Sequence, residues 1–144
     1  MTKQLYYEDV EVGSELPSQT RTTTTRQLVM YAGAEDDYFE GHYDHNFAVM
    51  MGMKGVFNHG WLVAAFLGRM ITDWKGDEGS FKSFRIQYRS PTFPSEPILC
   101  KGKVSNKCIK DYEHLVECDV WAENENGNQN TIGKVTFSVP TRSS

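Results

Sequence analysis

The chain has 144 residues, enough for one ordinary domain with a continuous core. With 24% charged and 39% hydrophobic residues it lies near globular averages, which excludes wholesale disorder. A formal net charge of -4 leaves no excess of Lys and Arg to displace counterions from a phosphate backbone, so nucleic acid is set aside as a partner.

Residues 1–13 carry no apolar run behind their first basic residue and do not read as a signal peptide. No stretch approaches the roughly 18–20 apolar residues of a membrane span, so no membrane partner is expected. Residues 5–18 read as an irregular opening punctuated by Gly13 and Pro17. The β-branched threonine run 22–25 suits a strand, which places the first strand at 18–25. Thr25 then caps a short helix over 26–35, with Leu28, Val29 and Ala32 at near-helical spacing.

Residues 36–58 show little regular pattern and contain Gly41, Gly52 and Gly55, with Gly60 just beyond. A long irregular stretch inside a domain is more often functional than idle. Residues 60–74 are apolar almost all round, interrupted by Arg69 and Asp73; they predict a buried helix with Trp61 and Phe66 in the core. The period then changes to two, as Phe84, Ile86 and Tyr88 alternate with Arg85, Gln87 and Arg89.

Pro91, Pro94 and Pro97 break the chain, and three further strands are expected at 98–109, 112–123 and 131–139. Glu125, Asn126, Gly127 and Asn128 mark a reversal between the last two. Cys100, Cys108 and Cys118 fall in these strands without a CxxC pair, as expected of reduced thiols in a cytoplasmic protein. The order predicts an α+β fold: a single domain, 1–144, with an antiparallel β-sheet wrapped around a central apolar α-helix.

The stretch 31–62 concentrates three of the four histidines (His42, His45 and His59) and several carboxylates. Imidazole titrates near neutral pH and a carboxylate takes or orients a proton, so the pairing suits general acid–base chemistry. Taken singly, the residues have plainer readings. Asp37 suits a turn carboxylate, His42 a loop histidine satisfied by backbone, and Asp44 a cap for the next helical turn. His59 suits a cap or packing residue before the apolar helix. Met50, Met51 and Met53 suit core or pocket lining.

Their order resembles a known pattern. In MaoC-like dehydratases and R-specific enoyl-CoA hydratases a helix end runs into a pattern like A-x-x-S-G-D-x-N-P-x-H-x-D, followed by an Ala, a Gly and a His-Gly. Here Ala32, Asp37, His42, Asp44, Ala48, Gly55 and His59-Gly60 stand in that order, and the Asp37-to-His42 offset fits without a gap. The lead-in Tyr7 through Gly13 and the strand exit Tyr88 through Pro94 are similar too. The chain departs from the pattern at Phe39-Glu40, where Asn-Pro is usual, and at Ser95-Glu96, where Gly-Asp is usual. It departs again at Gly68, where some relatives carry a pocket serine.

The resemblance implies a hot-dog fold and reversible addition of water to a trans-2-enoyl-CoA thioester, giving a 3-hydroxyacyl-CoA. Asp37 and His42 would hold the reacting water, and the Gly60 N–H at the helix N-terminus would stabilise the enolate oxygen. His59, Met53, Gly55, Trp61 and Gly68 would bind substrate, with Arg85 and Arg89 within possible reach of coenzyme A phosphates. No cofactor is expected, coenzyme A being part of the substrate, and no metal. A dimer follows, of identical chains or with a related hot-dog chain, because a single hot dog has open sheet edges. Three alternatives stand beside this: a subunit of a heteromeric hydratase, a hot-dog acyl-CoA thioesterase, and a metal site built on His42, Asp44, His45 and His59.

Overall fold

The structure is a computed structural model that describes residues 3–142; the two outermost residues at each end of the 1–144 domain lie outside the described residues. The apolar segment forms a 16-residue helix, Gly60–Lys75. Two shorter helices precede it, so it is α3, after α1 (Thr25–Glu35) and α2 (His45–Met50).

Leu62, Val63, Ala64, Leu67, Met70 and Ile71 of α3 are buried, whereas Trp61, Ala65, Arg69 and Thr72 form an exposed stripe at three- and four-residue spacing. This corrects the expectation of a helix buried all round with Trp61 in the core. Trp61 is 63% exposed, because the stripe points away from the sheet.

Five strands form one antiparallel sheet: β1 (Gln19–Arg21), β2 (Phe81–Tyr88), β3 (Ile98–Lys110), β4 (Glu113–Glu123) and β5 (Gln129–Ser138). Their order across the sheet is β1-β3-β4-β5-β2. Alternate residues point inward, as a pleat requires. Ile98, Cys100 and Val104 of β3, Val116, Cys118 and Val120 of β4, and Val135 and Phe137 of β5 pack on Val63, Leu67, Met70 and Ile71 of α3. Full burial of each larger side chain contributes about 1.5–3 kcal/mol. The result is the expected hot-dog arrangement, a sheet curled round one apolar helix. Burial pushes the Cys100 thiol up to about 11 and the Cys118 thiol up to about 12, so both are packing groups, not nucleophiles.

Local chemistry explains where the elements differ from expectation. The threonines at 22–25 do not continue β1. Thr23 is fully buried and its hydroxyl donates to Asn58, Thr24 caps α1 by accepting from the Gln27 N–H, and Thr25 begins the helix. The cap therefore falls one residue earlier than Thr25. Val29 faces solvent, leaving Leu28 and Ala32 as the buried contacts of α1. The irregular stretch contains a 3-10 turn, Glu40–His42, and then α2, whose Phe47 N–H is accepted by Asp44 as its cap.

Lys75 closes α3 from inside. Its ammonium is buried and donates to the carbonyls of Gly76, Glu78 and Gly79 at 2.8–2.9 Å, taking up three acceptors beyond the helix end. Hydrogen bonds to a charged group are each worth about 1.5–3 kcal/mol. Replacing Lys75 with Ala is therefore expected to cost about 2–3 kcal/mol, and to lower Tm by roughly 5–10 °C. A thermal melt identical to that of the unaltered protein would show this cap to be dispensable.

Candidate active site

Helix α1 ends at Asp36, whose left-handed φ of 60° turns the chain and delivers Asp37 beside the helix terminus. The Asp37 N–H bonds the carbonyl of Ala32, and its carboxylate accepts from the Phe39 N–H at 3.3 Å. The following 3-10 turn brings His42 back, with its Nε2 3.7 Å from Asp37 Oδ2. The two partners differ in exposure: the His42 side chain is 8% exposed and that of Asp37 is 39%.

His42 Nδ1 lies 2.7 Å from the carbonyl oxygen of Phe57. A carbonyl only accepts, so Nδ1 carries the hydrogen, and in the neutral ring the bare Nε2 faces the carboxylate. The Phe57 N–H bonds the Gly41 carbonyl in return, so two hydrogen bonds clamp the turn to this segment. Residue 41 has to be small, because an added Cβ would come within 2.7 Å of the Phe57 ring and 2.8 Å of the Phe39 ring. Phe39 packs edge-on to His42 (centroids 5.6 Å) and to Phe47 (5.6 Å), as part of an aromatic wall around the imidazole.

The residues after Phe57 complete the site. Asn58 is buried; its side chain accepts from Thr23 Oγ1 at 2.6 Å and donates to Thr92 Oγ1 at 2.9 Å, while its N–H bonds the Thr92 carbonyl. His59 is fully buried and stacks on His42, with ring centroids 3.8 Å apart and planes 22° from parallel. Its Nε2 is 3.3 Å from the Asp37 carbonyl oxygen, and Tyr31 meets it edge-on at 4.9 Å. Burial, and next the charge His42 can carry, hold the His59 pKa below the ordinary value. Burial and the Glu35 carboxylate push the Tyr31 phenol well above the usual range; burial, with Glu35 secondary, raises that of Tyr88.

Gly60 opens α3, so its N–H is one of those with no acceptor earlier in the helix. The Tyr88 ring lies over it, and a Cβ at residue 60 would meet that ring at 3.0 Å. His42, Met53, Phe57, Gly60, Tyr88 and Arg89 line a cleft of about 400 Å³, with Asn58 and Thr92 in its wall. A slightly larger hollow, about 490 Å³, lies on the sheet between Arg85, Trp121 and Ile132. It contains no histidine, and its Lys134 pairs with its Asp119.

Among the residues expected to bind substrate, Met53 lines the cleft and His59 lies behind His42. Gly55 lies against the His45 ring and Gly68 faces Phe84 at 3.4 Å; neither is among the residues lining the cleft, nor is Trp61. Met50 and Met51 are exposed. Of the two arginines, Arg89 is at the cleft and Arg85 lines the other hollow. Sequence reasoning missed Asn58, Thr23, Thr92 and Tyr88; an Asn directly before His59-Gly60 was the available signal for the first.

The metal-site alternative meets a different set of residues. Asp37, His42 and His59 can each bring a ligand atom within 4.8 Å of the others, whereas Asp44 is occupied as the cap of α2. The two rings stack within 22° of parallel and each gives one nitrogen to a carbonyl, which leaves His42 Nε2 and His59 Nδ1 as the ring nitrogens able to accept.

Residues 10–126 match the MaoC like domain family, and the chain belongs to it. The chain is 27% identical over 94 residues to the 3-oxo-4,17-pregnadiene-20-carboxyl-CoA hydratase beta subunit of Mycobacterium tuberculosis (strain ATCC 25618 / H37Rv), covering 65% of this chain and 73% of that protein. The ChsH1-ChsH2 complex from Mycobacterium tuberculosis contains a similar chain at 25% identity, with a TM-score of 0.78 over 90% of this chain and 98% of that one. R-hydratase PhaJ1 from Pseudomonas aeruginosa, in its unliganded form, superposes with a TM-score of 0.86 over 96% of this chain and 88% of that one; at 21% identity this speaks for the fold alone. No helix among the described residues is long and apolar enough to cross a membrane.

If Asn58 is the joint that holds this segment, Asn58→Ala strands two buried hydroxyls and costs about 1–3 kcal/mol in denaturant unfolding. Thr92→Val removes one of the two side-chain bonds while keeping shape, and is expected to cost less. Equal losses from both would assign the effect to general packing.

Proposed function

We propose that the protein hydrates trans-2-enoyl-CoA thioesters reversibly, using Asp37 and His42 as the acid–base pair and the Gly60 N–H as oxyanion donor. The observation that carries this reading is the 3.7 Å gap between His42 Nε2 and Asp37 Oδ2, with His42 and Gly60 lining one cleft. That gap is too long for a direct hydrogen bond, but one water reaches both atoms at ordinary distances.

In hydration, the Asp37 carboxylate draws a proton from the water as its oxygen bonds to the β-carbon. The π electrons shift toward the thioester oxygen, where the N–H at the positive end of α3 offsets the growing charge. The proton passes through the Asp37–His42 pair to the α-carbon, and the pair returns to its starting state. One water is consumed, hydroxyl ends on the β-carbon and hydrogen on the α-carbon. Glycine at 60 leaves the thioester room to approach the backbone. Coenzyme A arrives with the substrate, and no separate cofactor is called for.

The site works beside a second hot-dog chain. Edge strand β2 pairs only with β5 and leaves its outward-facing backbone groups without a strand partner, and α3 exposes the Trp61 stripe. The relative from Mycobacterium tuberculosis is described as a beta subunit, and a similar chain is seen in a two-component complex, which supports a related chain as the partner.

Loss of enoyl absorbance across a panel of trans-2-enoyl-CoA thioesters tests the reaction, for the chain alone and with a candidate partner. Asp37→Asn and His42→Ala should each slow it by about 10²–10⁴-fold. Release of free coenzyme A thiol with the enoyl chromophore intact would identify a thioesterase instead. Undiminished hydration in either variant would remove that residue from the mechanism.

A further inference from the structure

Among the described residues, His59 is the one fully buried ionisable group that touches both members of the proposed acid–base pair, and the hydration mechanism makes no direct use of it. Its Nε2 points at a carbonyl and therefore carries the hydrogen, which leaves Nδ1 as a lone pair. That Nδ1 is buried and has no hydrogen-bond partner among the described residues. An orphaned buried acceptor carries a cost that a purely packing side chain would avoid. Phenylalanine would fill the same space without it, so the imidazole is kept for something a phenyl ring lacks.

Resting on the hydratase reading above, we infer that His59 is a positioning residue: its neutral ring lies flat on His42 while its Nε2–H ties down the Asp37 backbone, so one side chain holds base and acid in register. The Phe57 carbonyl fixes the direction in which the His42 nitrogens point; the His59 ring fixes the plane in which they lie. When His42 takes a proton, a neutral aromatic face beside it stabilises the cation, whereas a second charged ring 3.8 Å away would repel it. The ionisable and charged groups around His59 are His42 from the 3-10 turn, Asp37, Glu35 and Tyr31 from α1 and its end, and Tyr88, which lies over the adjacent Gly60, from β2. The carboxylates among them act on His59 less strongly than its burial does, so its pKa lies below the ordinary histidine value.

Two measurements test this. Nitrogen-15 NMR of the histidine side chains in the unaltered protein is expected to find His59 in the neutral Nε2–H form at neutral pH, charging only below the ordinary histidine value. A His59 that charges near the ordinary histidine value of about 6.5, or that holds its hydrogen on Nδ1, overturns the inference. In the second, His59→Phe keeps a flat ring without the N–H, and His59→Leu loses both. The expected result is a fall in kcat of about tenfold or more in His59→Phe, and a larger fall in His59→Leu, with KM within about twofold of its original value. The acid limb of the kcat/KM profile should move to lower pH in His59→Leu only, since only that variant removes the aromatic face from the His42 cation. Unchanged kcat in folded variants, or an acid limb that moves equally in both, overturns it. If the protein hydrates no thioester, the hydratase reading falls while the NMR result still decides the state of His59; if the variants fail to fold, the NMR result decides alone.

Discussion

Four consecutive residues, 57–60, hold the whole site, and they are held in turn by the buried amide of Asn58. The Phe57 carbonyl sets the tautomer of His42, Asn58 ties the segment to Thr23 and Thr92, His59 backs the imidazole, and Gly60 begins the helix with a free N–H. The four are adjacent along the backbone, and both Asn58 and His59 are buried in the interior. Thr23 stands just before α1 and Thr92 between β2 and β3. Asn58 thus joins the segment that leads to Asp37 with the one that runs along the cleft floor. A buried polar network of this kind is favourable only when its members are satisfied, and the pairing of Asn58 on both sides meets that condition.

The parts legible in the sequence were those governed by local pattern. The apolar run of α3, the alternation in β2, the Asn-Gly reversal after β4 and the capping role of Asp44 all follow from rules that act within a few residues, and each appears where expected. The Asp37-to-His42 spacing was legible for the same reason, since a helix end, one left-handed residue and one 3-10 turn bridge it. What was not legible depends on partners far along the chain. Thr23 reads as a strand threonine until Asn58, 35 residues on, claims its hydroxyl. Trp61 reads as core because the helix around it is apolar, and only the direction of the sheet decides that it points outward. Phe39 stands where the pattern usually has Asn, and only the fold shows that its ring packs against His42.

The fold divides labour between its layers. The sheet and the inner face of α3 supply the burial that stabilises the domain, through side chains with no chemistry of their own. The segment between α1 and α3 contributes little to that core, with Ala48 the main buried apolar residue of α2, and carries Asp37, His42 and the ring that backs His42. Such a division lets the chemical segment tolerate an unpaired nitrogen at His59 and a crowded glycine at position 41, because the stability that offsets them is generated elsewhere.

The two groups of the proposed acid–base pair differ in exposure. The Asp37 side chain is 39% exposed and open to solvent on one side. His42 is enclosed by Phe39, Phe57 and His59, where an isolated charge would be costly. In the proposed hydration, the carboxylate facing His42 and the uncharged ring behind it would offset the charge that a shuttled proton brings. Burial, which holds the His59 pKa below the ordinary value, favours the second of these. Such an arrangement would suit reversible addition of water, in which the proton has to move both ways.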